Sequence, residues 1–342
     1  MAFQILWFGI WGFLWAVYFM LDGFDFGAAM LYRLVARDEN EKRMILGTVG
    51  PVWDGNEVWL ITAGGATFAA FSRVYATMFS FLYPAFLILL FSLILRGVSF
   101  ELRGKSQNPL WQKGWDVAIL VGGLFPAFLF GLAFGNIFKG LPFDANGYYG
   151  SFLGLLNPYG VLTGILFVVL FLVHGAMWVG MKTTGDLNER VRHVAARAWY
   201  VLVAIAVVFL VYTAMATPLI DNYLKHPIWL VVPILAIIGL IGIKWFTFKK
   251  QYERGFVSSA LTVIAITATG LIGLYPNLIP SSIDSRYNLT AFDSSSGVYT
   301  LKVMTVVVAV CIPLVIAYQW WAYRVFQANV TLDDVQGDQG GY

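Results

Sequence analysis

Cysteine occurs once in the 342 residues, at Cys311, and histidine three times, at His174, His193 and His226. The lone thiol excludes an intrachain disulfide and a cysteine-clustered metal or iron–sulfur site, and its apolar neighbours point to a packing role. A set of haems held between helices needs several His or Met ligands on facing helices. Only His174 falls inside an apolar run, so the chain is a poor candidate for carrying haem, and His174 reads as an interhelical hydrogen-bonding residue. Charged residues make up 12% of the chain. The stretch GGLFPAF at 122–128 lacks the lysine of a phosphate-binding loop and lies within an apolar run. Nothing in the composition implies a nucleic-acid partner, because a pI near 8.8 matters less here than where the basic residues fall.

What the chain has is apolar length. Hydrophobic residues reach 59%, mean hydropathy is +0.73, and runs of roughly 20 apolar residues, each enough to cross about 30 Å of hydrocarbon, recur from end to end. The sequence predicts an all-α integral membrane protein with nine transmembrane helices, at about 6–31, 46–71, 75–97, 115–138, 158–181, 197–217, 228–246, 257–276 and 302–324. Seventeen Lys and Arg residues, Arg96 and Arg103 among them, fall in the connections after the odd-numbered spans, and five fall on the opposite side. The positive-inside bias places the seventeen in the cytoplasm, with the N-terminus outside and the C-terminus cytoplasmic. Thirteen Trp, many of them near span ends, read as an interfacial belt.

LDGFDFGAAM at 21–30 resembles VHGAMWVGMK at 173–182, and GLAFGNIFKGLP at 131–142 resembles GLIGLYPNLIPSS at 270–282. This weak repeat predicts two four-helix bundles, 1–140 with an acidic cluster and 141–280, followed by an external loop, one peripheral helix and an acidic tail in 281–342. The tail TLDDVQGDQGGY reads as solvated and partly disordered.

GPVWDGNEVWLITAGGATFAAF, residues 50–71, carries Asp54, Asn56 and Glu57 in a membrane-length run, and the first run carries Asp22 and Asp25. Counted from Arg33 and Arg43, Asp22 and Asp54 both lie roughly 16 Å deep at about 1.5 Å per residue. The i,i+3 spacing of Asp22 with Asp25 and of Asp54 with Glu57 puts each pair on one helix face. A charge near the bilayer centre costs about 3 kcal/mol or more, so such groups face a protein interior or a water-filled cavity, and protonation removes the charge. No basic residue within spans one or two lies close in sequence, which excludes an ion pair within one helix and leaves open one from another span; Trp53, Asn56, Trp59 and Thr62 offer hydrogen bonds. A proton path or cation site and a structural role at a helix kink both remain open. A secondary transporter would also suit intramembrane acids and Gly- and Pro-broken helices, although four helices per half make the halves parallel rather than inverted.

LDGFDFG, then WDGNEVW, FGNIFKGLPF, LNPYGVLTG and IPSSIDSRYNLTAFDSSSGVYTLKVMT resemble, in this order and over nearly the whole chain, subunit II of the cytochrome bd-type quinol oxidases. The resemblance implies two subunits of nine helices each in the bacterial cytoplasmic membrane. It also implies a haem-bearing subunit I with haem b and haem d-type centres and the quinol site, and a small single-helix accessory subunit in some relatives. By the same resemblance subunit II binds no haem, supports assembly and lines a proton intake from the cytoplasm. The residues implied are Asp25 and Asp54, with Glu57, Trp53 and Asn56 beside them and Asp22 as a lesser member.

Overall fold

The computed structural model describes residues 1–337. Its helices are α1 (Ala2–Val35), α2 (Glu39–Val49), α3 (Trp53–Ala70), α4 (Ser72–Phe81), α5 (Tyr83–Leu102), α6 (Pro109–Lys139), α7 (Pro158–Lys182), α8 (Gly185–Ala216), α9 (Asp221–Lys225), α10 (Val231–Phe248), α11 (Tyr252–Leu274), α12 (Val298–Val325) and α13 (Leu332–Gly337). Among the described residues eight helices are long and apolar enough to cross a membrane: α1, α5, α6, α7, α8, α10, α11 and α12.

The expected second span departs from a single helix. Gly50, Pro51 and Val52 separate α2 from α3, since proline lacks an N–H and its ring crowds the preceding turn. The expected third span is also divided, α4 ending before Leu82 and α5 starting at Tyr83 with Pro84 in its first turn, where a missing N–H costs nothing. Two short antiparallel strand pairs occupy the loops, 143–144 with 147–148 and 277–279 with 289–290. In the acidic tail, Leu332–Gly337 is a short helix that packs on α2, and the last five residues lie outside the described range.

α6 and α7 are the most enclosed of the eight, while α8, α10 and α12 turn most of their surface outward, as lipid-facing helices do. The expected halves share one core, because α1, α6 and α7 pack on one another across the seam. Glycine makes this possible at α1/α7. A Cβ on Gly27 would lie 2.0 Å from the Phe171 carbonyl oxygen, and one on Gly175 would lie 2.5 Å from the Gly27 Cα. Small residues let membrane helices approach backbone to backbone, so LDGFDFG and VHGAMWVG, the stretches that resemble each other, meet directly. The other resembling pair meets too, Leu141 N donating to Pro280 O (2.9 Å) and Ser282 N to Leu141 O (2.9 Å).

Candidate functional site

Two buried polar clusters lie along α1, both in the first half of the chain. The deeper one centres on Arg96 of α5. Sequence reading assigns Arg96 to a cytoplasmic connection; instead it lies within the helix with no accessible surface. The reason is the break at Leu82: α5 begins later than the hydropathy run suggests and continues to Leu102, which carries Arg96 inside the bundle. Its Nη2 donates to Asp22 Oδ1 (2.7 Å) and Glu57 Oε1 (2.5 Å), joining α1, α3 and α5. The guanidinium carbon sits 4.4 Å from the Phe26 ring centroid, a cation–π contact. Gly122 of α6 admits this side chain, since a Cβ there would lie 2.5 Å from Arg96 Cβ. Two of the four carboxylates, Asp22 of α1 and Glu57 of α3, therefore have an ionic partner, supplied by another helix.

Asp25 is equally buried and makes no ion pair among the described residues. Asn56 Nδ2 donates to its Oδ2 at 2.7 Å. The Asn56 carbonyl accepts from Tyr323 Oη (2.7 Å) and Gln319 Nε2 (3.1 Å) of α12, and Trp59 Nε1 donates to Gln319 Oε1 (2.7 Å). Two donors on the amide oxygen fix which way the amide points, so its NH2 faces Asp25. Tyr323 also lines a cavity of about 20 Å³ with Thr48, Pro51, Trp178 and Lys182, enough for one water.

Among the described residues Asp25 Oδ1, Asp22 Oδ2, Tyr18 Oη and Arg96 Nε and Nη1 are buried without a well-formed hydrogen bond, although the Asp22 carboxyl lies within reach of both Tyr18 and Asp25. Buried polar groups normally have hydrogen-bond partners, so this knot of unsatisfied donors and acceptors is a place for bound water or a shared proton. Asp22 and the part-exposed Glu57 share one guanidinium with Asp25 close by, and full ionisation of all three would leave more negative charge than Arg96 compensates. The carboxyl without a cation, Asp25, is the one whose neutral form the surroundings satisfy.

The site residues expected from sequence are not all brought together. Asp22, Asp25, Asn56 and Glu57 converge. Asp54 is exposed in the first turn of α3 and makes no hydrogen bond or ion pair among the described residues, and an acid there also suits the helix dipole. Trp53 packs over Gly97, where a Cβ would lie 2.9 Å from the indole, and beside Phe100. Sequence reasoning missed Gln319 and Tyr323, whose position near a span end reads as interfacial, and Arg96, whose signal was a lone cation beside an apolar run.

The shallower cluster was not anticipated. Asp116 of α6 accepts from Tyr32 Oη (2.5 Å), Arg103 Nε (2.6 Å) and Lys42 Nζ (2.5 Å), and Arg103 is also forked onto Glu39 (2.5 and 2.9 Å). These bonds staple α1, α2, the turn after α5, and α6. Basic residues that sequence reading assigned to orientation alone thus also compensate buried acid. Among the described residues no group of three or more His, Cys, Asp or Glu is placed to hold a metal ion.

Residues 3–326 match the family model of cytochrome bd terminal oxidase subunit II. The chain belongs to the cytochrome bd terminal oxidase subunit II family. It is therefore a subunit of an oxidoreductase complex. Similar relatives of this family are cytochrome bd ubiquinol oxidase subunit 2 of Bacillus subtilis, 36% identical over 95% of this chain and 96% of the relative, and cytochrome bd-I ubiquinol oxidase subunit 2 of Escherichia coli K12, 35% identical over 97% and 96%. Among solved structures, the bd oxidase from Geobacillus thermodenitrificans shares the fold at a TM-score of 0.76 and 16% identity, over 95% of this chain and 99% of that one.

Proposed function

We propose that this chain is the haem-free subunit II of a bd-type quinol:oxygen oxidoreductase, supporting the haem-bearing subunit I and conducting protons to its oxygen-reducing site. Asp25 takes up a proton from the cytoplasmic side, next to the one-water cavity at Tyr323. Water among Tyr18, Asp22 and Arg96 passes it to Glu57, and Asp54, on the accessible surface of α3, hands it toward subunit I. Haem b and haem d-type centres and the quinol site belong to that partner; a small single-helix subunit is a further partner. The N-terminus lies outside and the C-terminus in the cytoplasm of a bacterial inner membrane, as the basic connections favour. The nine crossings form two four-helix groups, 1–140 and 141–280, and α12 lies peripheral to both.

One observation supports this most: Asp25 is wholly buried, accepts from Asn56, stands beside the Asp22 carboxyl, and makes no ion pair among the described residues. A carboxyl in such a setting can be protonated and deprotonated without breaking an ion pair. Asp25→Asn keeps the shape and removes the titration. We expect oxygen consumption per haem to fall at least tenfold in a complex with normal haem content; unchanged consumption would remove Asp25 from the path. The Arg96 pairs favour a second reading for Asp22 and Glu57 alone, that they act as structural counter-ions. On that reading neutralising either lowers the yield of complex rather than its rate.

A further inference from the structure

The end of the molecule that holds the Asp116 staple has an open cavity of about 430 Å³ lined by Arg33, Ala36, Lys42, Pro109, Gln112, Lys113 and Asp116. The single carboxylate in its wall is spent, since Asp116 already takes Lys42, Arg103 and the Tyr32 hydroxyl. Arg33 and Lys113 are exposed and make no hydrogen bond or ion pair among the described residues. They project from facing helices, Arg33 from the last turns of α1 and Lys113 from the first turns of α6. The cavity therefore carries two uncompensated cations beside a third, Lys42, whose ammonium is anchored in place. Beside them stand apolar side chains with nothing to cover them, Leu34 (62% exposed), Leu110 (79%) and Trp111 (40%).

We propose that this cavity binds a phosphate group, with Arg33 and Lys113 as the recognising cations and Lys42 as the fixed one. A guanidinium fork suits two phosphate oxygens and an ammonium adds a point charge. Basic pockets between membrane helices at the basic surface are where anionic headgroups lodge, and Leu34, Leu110 and Trp111 would lie alongside the acyl chains of a phospholipid. A free phosphate ion would meet the same cations without using the apolar rim. Neither Arg33 nor Lys113 touches the Arg96 cluster, so this site is independent of the proton path.

The test uses the full chain purified with its partner from native membranes, as wild type, as the double variant Arg33→Gln/Lys113→Gln, and as the charge-keeping Arg33→Lys/Lys113→Arg. Each is titrated with phosphatidylglycerol, with phosphatidylcholine and with inorganic phosphate, following the thermal midpoint, and the co-purified phospholipid is measured by mass spectrometry. At roughly fivefold per cation, the neutral variant binds phosphatidylglycerol about thirtyfold more weakly, retains less anionic lipid and keeps its oxygen consumption, while the charge-keeping variant behaves as wild type. An inorganic-phosphate response lost in the same neutral variant supports the site with the free ion as its ligand. Equal responses of wild type and neutral variant to both phosphatidylglycerol and inorganic phosphate overturn the proposal, as does an equal response to phosphatidylcholine.

Discussion

The two stretches that resemble each other, around Asp22 on α1 and His174 on α7, solve the same packing problem with opposite chemistry. Both are inside the shared core, and both reach a polar group on another helix. Asp22 meets Arg96 in a charged network that includes Glu57. His174 instead bonds Ser259 (2.7 Å) and the Met20 carbonyl (2.8 Å) and stacks on Phe256. A carbonyl only accepts, so Nε2 carries the imidazole proton, and Nδ1 accepts from the Ser259 hydroxyl, whose one proton is shared between the ring and the Phe256 carbonyl (2.9 Å). The His174 side of the fold needs no charge to hold its helices. The excess acid on the Asp22 side is therefore more than packing requires, and this is the physical ground for giving it a function.

Removing the one cation breaks this comparison most severely. Arg96→Gln leaves Asp22 buried without a counter-ion, a loss of about 3–5 kcal/mol, and takes the partner from the part-exposed Glu57 as well. The expected result is little assembled oxidase in membranes, read as haem absorbance per milligram of membrane protein. His174→Leu removes the hydrogen bonds to Ser259, whose hydroxyl keeps the Phe256 carbonyl, and to the Met20 carbonyl, and costs about 1–3 kcal/mol. Its signature should be a lower thermal midpoint with turnover per assembled complex unchanged, which sets it apart from Asp25→Asn. Tyr323→Phe keeps the ring and takes away one donor to Asn56, worth about 1 kcal/mol. The amide should then hold Asp25 less firmly, and oxygen consumption should slow a few-fold at normal haem content.

The smallest effect is expected far from both regions, in the loop at Asp284. Hydrogen bonds and charge from Arg286 hold this carboxyl below its usual range. A lowered acid stabilises above its unfolded value, near 4, and that contribution is lost as pH falls through the lower folded value. Limited proteolysis of the loop in wild type and Asp284→Asn should differ slightly at neutral pH and converge in acid.

Much of this contrast was legible in the sequence. Carboxylates in apolar runs announced Asp22, Asp25 and Glu57, whereas the Gly-rich repeat was read as two halves and the contact at Gly27 and Gly175 came from the packing. What was not legible depended on where helices stop. Hydropathy averages over a break, so 46–71 read as one span across Gly50–Val52, and 75–97 read as one span across Leu82, which pushed Arg96 to the rim. Tyr323 and Gln319 escaped because a polar aromatic near a span end looks interfacial until α12 is seen against α3. Asp54 and Asp25 looked alike in sequence, and only the packing separates an exposed first-turn acid from a buried one.

Infrared difference spectroscopy of the purified oxidase between oxidised and reduced states reads the central claim directly, since a protonated carboxyl has its own carbonyl stretch. Such a band is expected to change on turnover in wild type and in His174→Leu and to be missing in Asp25→Asn. A wild type with no changing carboxyl band, or a band that survives unaltered in Asp25→Asn, would contradict it.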